Sequence, residues 1–123
     1  MLSIARVEPK AVVDNKVYRI LDLNLYDSNG KIVFTISTTI LKADQQTSGH
    51  KHAHDSEVYE FVEGNGKMVL DNNTIDVKPG DYVFVEGGQY HKVINLSKLN
   101  NLVFKCYFNG EIKRPHLKSS RNT

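Results

Sequence analysis

Turn signals recur along this chain about every eight to twelve residues, a spacing that suits short strands, and there is almost no helical periodicity. Asp27-Ser28-Asn29-Gly30, Glu63-Gly64-Asn65-Gly66, Asp71-Asn72-Asn73, Lys78-Pro79-Gly80-Asp81 and Glu86-Gly87-Gly88-Gln89 are the clearest. Between and around them lie 17–25, 31–41, 58–62, 67–70, 74–77, 82–85, 92–95 and 102–108. These segments are rich in Ile, Val, Phe, Tyr and Thr, which suit a pleated, half-buried surface. Only Val12–Arg19 is ambiguous. The pattern predicts eight or nine strands in an all-β sandwich or barrel, and a two-sheet jelly roll fits the length.

The chain has 123 residues, enough for one domain with one hydrophobic core. No apolar run approaches the roughly 20 residues that span a bilayer. The N-terminal Met1–Arg6 lacks the apolar stretch of a signal peptide, so the expected location is the cytoplasm, away from membranes. Cys106 is the single cysteine, which rules out an intrachain disulfide or a thiolate cluster. Alternation places Phe104, Cys106 and Phe108 on one strand face, with Val103, Lys105 and Tyr107 on the other.

The net charge of +2 is unevenly spread. Residues 1–112 hold 12 Lys/Arg against 14 Asp/Glu, a balance of −2, and Lys113, Arg114, Lys118 and Arg121 add the rest. The body is slightly acidic, which argues against a nucleic-acid-binding face. Residues 113–123 read as a flexible basic tail, and 1–112 as the domain with an N-terminal strand extension.

Chemistry concentrates at Gly49-His50-Lys51-His52-Ala53-His54-Asp55-Ser56-Glu57 and at His91. His50 and His52 are two apart and share a face if extended. Histidine and carboxylate together are transition-metal ligands. His54 makes a second pair with His52, but that choice leaves fewer residues before Glu57.

These residues resemble two ordered motifs of the cupin superfamily. In the first, at 49–66, a glycine is followed by the His50/His52 pair, Glu57, an apolar strand and Gly64. In the second, at 79–95, Pro79-Gly80-Asp81 leads through Gly88 to His91 and Asn95. Two loop positions depart from the family pattern: Gly49 abuts His50, and Glu86 stands where proline is usual. The resemblance implies a double-stranded β-helix, or jelly-roll barrel. It also implies one divalent transition metal (Fe, Mn, Ni, Co, Cu or Zn) held inside by His50, His52, Glu57 and His91. Four inward polar groups in an apolar barrel need partners, and one cation serves all four.

Further roles attach to Glu57 as a detachable base, to Tyr59 as a hydroxyl near the metal, and to His54 as a proton carrier or anion contact at the entrance. Tyr82, Phe84, Tyr90 and Tyr107 are further candidates for an aromatic wall. An octahedral ion with four protein ligands keeps two positions for water, O₂ or a bidentate substrate. The favoured expectation is an oxygenase acting on a small organic substrate, because the pocket reads as aromatic and no inward lysine or arginine is evident. The alternatives are an isomerase, epimerase or lyase on a sugar or hydroxy/keto acid, and a non-catalytic ligand-binding module. A homodimer is expected, with Leu2–Val7 and Val12–Val17 as strands available for exchange.

Overall fold

A computed structural model describes residues 8–51 and 55–113. Nine strands follow in order: β1 (Lys10–Asp14), β2 (Tyr18–Tyr26), β3 (Ile32–Leu41), β4 (Glu57–Glu63), β5 (Gly66–Leu70), β6 (Asn73–Val77), β7 (Tyr82–Val85), β8 (His91–Ile94) and β9 (Leu102–Asn109). They form a six-stranded sheet of order β1-β2-β3-β9-β4-β7 and a three-stranded sheet of order β6-β5-β8. All pairings are antiparallel. The expected all-β, two-sheet jelly roll is what forms.

The ambiguous stretch resolves into a strand and a turn. Asn15 Oδ1 accepts the amides of Val17 and Tyr18, so the chain reverses there and β1 pairs with β2 of the same chain. That pairing occupies Val13 and Asp14, part of the stretch expected to be available for exchange. Leu2–Val7 lies outside the described residues.

Register explains how the interior is laid out. The inward side chains of the large sheet line up in rows across the strands. One row holds Thr35, Phe108, Glu57 and Val85; the next holds Asp22, Ser37, Cys106, Tyr59 and Val83. A third holds Ile20, Thr39, Phe104 and Phe61, and a fourth begins with Tyr18, Leu41 and Leu102. Rows three and four are closed by Met68, Val77 and Val93 from the small sheet, all buried. Phe61 and Phe104 lie 5.5 Å apart and Tyr59 and Phe104 5.4 Å apart, between ring centroids. Such pairs add about 0.5–1.5 kcal/mol each beyond their burial. The apolar side chains thus fill one end of the sandwich, and polar groups enter at the other.

Asn95 ties the loops at the apolar end. It is 2% exposed. Its side-chain amide donates to the carbonyls of Leu41, Lys42 and Asn100, and its Oδ1 accepts the Ser97 amide.

The aromatic wall differs from expectation. Alternation along β7 turns Val83 and Val85 inward, so Tyr82 and Phe84 stand on the outer face, 65% and 58% exposed. Tyr107 is also outward, and its hydroxyl donates to Glu60 alongside that of Tyr82. Both donors hold the Glu60 carboxyl below its ordinary range, Tyr107 chiefly. The same bond, reinforced by burial, pushes the Tyr107 phenol up to about 12.

Candidate metal centre

Three backbone features bring the separated motifs together. First, the chain before the histidine cluster runs antiparallel to the free edge of β8. Thr47 N donates to Val93 O at 2.9 Å, and Val93 N to Thr47 Oγ1 at 3.0 Å. Second, His50 and His91 form a bridge at the end of that edge, with amide–carbonyl bonds of 3.1 and 2.9 Å exchanged between them. Third, β4 on the opposite sheet presents Glu57 inward. His91 Nε2 lies 3.8 Å from Glu57 Oε2, and both side chains are buried.

Both described histidines are oriented by the same device. His91 Nδ1 lies 3.0 Å from the Gln89 carbonyl, and His50 Nδ1 lies 3.2 Å from the Ser48 carbonyl. A carbonyl only accepts, so each Nδ1 carries a proton, and in the neutral ring Nε2 then keeps a lone pair for a metal. Such outer contacts fix ring and tautomer in metal-ligating histidines. The two rings lie 4.6 Å apart, and Tyr59 meets the His91 ring edge-on at 5.8 Å.

Two donors each about 2.1 Å from one ion lie at most about 4.2 Å apart. The Glu57–His91 separation falls within that span, and neutral imidazole with carboxylate suits a divalent transition ion. The donor chemistry therefore fits. Among the described residues, however, no group of three or more His, Cys, Asp or Glu is gathered closely enough to hold a metal. His52, one of the four expected ligands, and His54, the expected proton carrier, lie outside the described residues.

A cavity of about 80 Å³ opens beside this pair. Its walls come from all four inward rows, with Tyr18, Tyr59, Phe104 and Phe108 as its aromatic side chains and with His50 and Glu57 also lining it. Tyr59 lines it as expected, whereas none of Tyr82, Phe84, Tyr90 and Tyr107 does. Cys106 and the hydroxyls of Ser37 and Thr39 complete the floor. All three are buried.

Lys113 also lines this cavity. Its side chain is 78% exposed, and its Nζ lies 3.3 Å from Glu111 Oε1. Gly110 explains its position. A φ of +95° redirects the chain there, the Gly110 amide donates to Val33 O, and its carbonyl accepts the hydroxyl of fully buried Thr35. Sequence periodicity ends at Phe108 and carries no signal for this return.

Comparison with known proteins agrees with the architecture. The family described as Cupin domain matches residues 37–106. This chain belongs to the cupin superfamily. An uncharacterized protein of Methanocaldococcus jannaschii, MJ1618, is 27% identical over 104 residues, covering 84% of this chain and 81% of that one. A Bacillus subtilis oxalate decarboxylase structure, described in terms of its Mn(II) centres, superposes with a TM-score of 0.72 at 15% identity over 85% of this chain. Vicilin of Corylus avellana gives 0.68 at 15% identity over 80% of this chain. This cupin spans 29% and 31% of the lengths of those two chains, and the likeness is one of fold.

Proposed function

We propose that this cupin binds one divalent transition metal through His50, His52, Glu57 and His91 and acts as an oxygenase on a small organic molecule. The buried approach of His91 Nε2 to Glu57 Oε2 carries the reading, because the His91 tautomer presents a lone pair to the carboxylate side. The membership of the chain in the cupin superfamily supports it. A metal bound there would supply redox chemistry with O₂ or Lewis-acid polarisation of a carbonyl.

The chain's own residues set the conditions. The Ser48 and Gln89 carbonyls hold the two rings in ligand orientation. Tyr59, Phe104 and Phe108 restrict water at the cavity and pack on the substrate's apolar part. The Tyr59 hydroxyl is the candidate hydrogen-bond donor to a substrate oxygen. Glu57 is the candidate base, and His54 the proton carrier at the entrance.

A second reading, isomerase, epimerase or lyase chemistry on a hydroxy or keto acid, gains from one observation. Lys113 at the cavity supplies a cation for an acidic substrate. The deciding experiment is elemental analysis of untagged protein beside H52A, followed by O₂-uptake screening. About one equivalent of iron, manganese or copper, lost in H52A, with substrate-dependent O₂ uptake, supports the oxygenase. Turnover without O₂ uptake supports the second reading. Metal in neither sample, with none taken up on reconstitution, removes both and leaves a ligand-binding module.

A homodimer in the cytoplasm completes the proposal. Val62, Tyr82 and Phe84 on the outer sheet face are all exposed, which supports burial against a second copy. Sedimentation at several concentrations tests it.

A further inference from the structure

We infer that Lys113 forms an anion subsite, and that the ligand of this cavity is a small carboxylate whose charged end sits at the mouth, away from the histidines. The inference deepens the proposed function by naming its substrate class, and it rests on that reading only at the cavity's inner end.

Charge selects the class. Among the described lining residues, Lys113 alone is permanently cationic at neutral pH, and Glu57 is the one carboxylate. Glu57 belongs to the inner end, facing His91. An anionic ligand entering with its charge leading would meet Glu57, whereas one entering charge-last would meet Lys113. The Lys113 ammonium offers three donors on a flexible stem, and a charge-assisted bond to a carboxylate is among the stronger polar contacts.

Position is built rather than incidental. Gly110 is pinned on both sides, by its amide to Val33 and by its carbonyl to the Thr35 hydroxyl. Lys113 follows three residues later with Ile112, which also lines the cavity. In the absence of ligand, Lys113 Nζ lies 3.3 Å from Glu111 Oε1, and both side chains are largely exposed. An exposed pair of this kind contributes little to stability, so a ligand carboxylate can displace Glu111 at small cost. Glu111 then acts as a weak internal competitor.

Size narrows the class further. A cavity of about 80 Å³ suits a short acid such as a hydroxy or keto acid.

The test compares lactate with its neutral isostere lactamide by calorimetric titration of the full chain. Wild type, K113A, K113R and E111Q are used, and metal content is measured on every sample. Wild type should bind lactate about tenfold more tightly than lactamide. K113A should lose that preference at unchanged metal content, K113R should retain most of it, and E111Q should strengthen lactate binding a few-fold. Equal affinities in wild type, no lactate binding at all, or a preference that survives in K113A would overturn the subsite; the last would place the carboxylate on the metal instead. Loss of preference in K113A from a protein without metal would uphold the subsite while removing the metalloenzyme reading.

Discussion

His50 and His91 are joined across two antiparallel backbone hydrogen bonds before any ligand is considered. Each ring is also anchored through Nδ1 to the carbonyl two residues earlier. Two of the four proposed ligands are therefore positioned by backbone pairing, independently of the loop between His50 and Glu57. Little ordering entropy remains to be lost there on metal binding, a condition for tight ligation.

Removing one of the buried pair should abolish loading without unfolding the chain. H91A and E57Q should each retain the β-sheet circular dichroism of wild type and fall from about one metal equivalent to near none. At free metal of 100 times Kd, binding stabilises by about 2.7 kcal/mol, which for a domain of this size is roughly 10 °C in Tm. Chelation should lower the wild-type Tm by about that amount and leave both variants unmoved. An equal chelator effect on all three proteins would refute the assignment.

Asn95 should matter for stability and not for the metal. N95A removes the donor to three backbone carbonyls. At about 1 kcal/mol per lost bond, the expected cost is roughly 2–4 kcal/mol in urea denaturation, with metal content unchanged. A loss of metal in folded N95A would mean that the loop network reaches the site.

Gly66 opens β5 where the chain passes from one sheet to the other. A Cβ there would lie 2.4 Å from the Ile94 carbonyl oxygen and 2.6 Å from Leu102 Cδ2. The first neighbour is backbone in β8 and cannot rotate aside. G66A should destabilise by about 2–3 kcal/mol, in the range of overpacked cores. G30A meets no atom within 4 Å, but its φ of +81° adds strain, so about 1 kcal/mol is expected. Reversal of that order in matched urea melts would contradict the close approach at Gly66.

The Glu60 cluster should shape stability at both extremes of pH. Its carboxyl is held low in the folded state, mainly by Tyr107. That contribution is present above the unfolded value of about 4.3 and is lost as pH falls through the lower folded value. Tyr107 works in the opposite sense. Its folded value is about 12, so its contribution is present below the unfolded value of about 10 and disappears as pH rises from there towards 12. Glu60 also raises the Tyr82 phenol, so ultraviolet titration should show two late phenols with Tyr107 the later; Y107F should remove that last step, and E60Q should shift both back towards 10. An unchanged alkaline titration in Y107F would show that the later phenol is not Tyr107.

Much of the fold was legible because strand formation depends on local alternation and turn chemistry. Strand alternation in Leu102–Phe108 sets Phe104, Cys106 and Phe108 on one face and Val103, Lys105 and Tyr107 on the other, and the structure buries the first face. Asp27 accepts the amides of Asn29 and Lys31 in the turn that its sequence announces. Glu57, Tyr59 and Phe61 share the inward face for the same reason. The aromatic wall was less legible. Tyr82 and Phe84 lie in a strand too short for alternation to reveal which face is inward, and only pairing with β4 set that register.

Residue types and their spacing alone determined that this chain would be all-β, that histidine and carboxylate side chains would gather around Glu57 and His91, and that it resembles the cupins. Those properties follow from side-chain chemistry and short-range periodicity. Tertiary structure decided that His50 would pair with His91 along the edge of β8, that Tyr18, Tyr59, Phe104 and Phe108 would be the cavity's aromatic side chains, and that Lys113 would return to its mouth. Each of these depends on which strands become neighbours or on a single redirecting residue such as Gly110, and long-range pairing leaves no periodic trace in sequence.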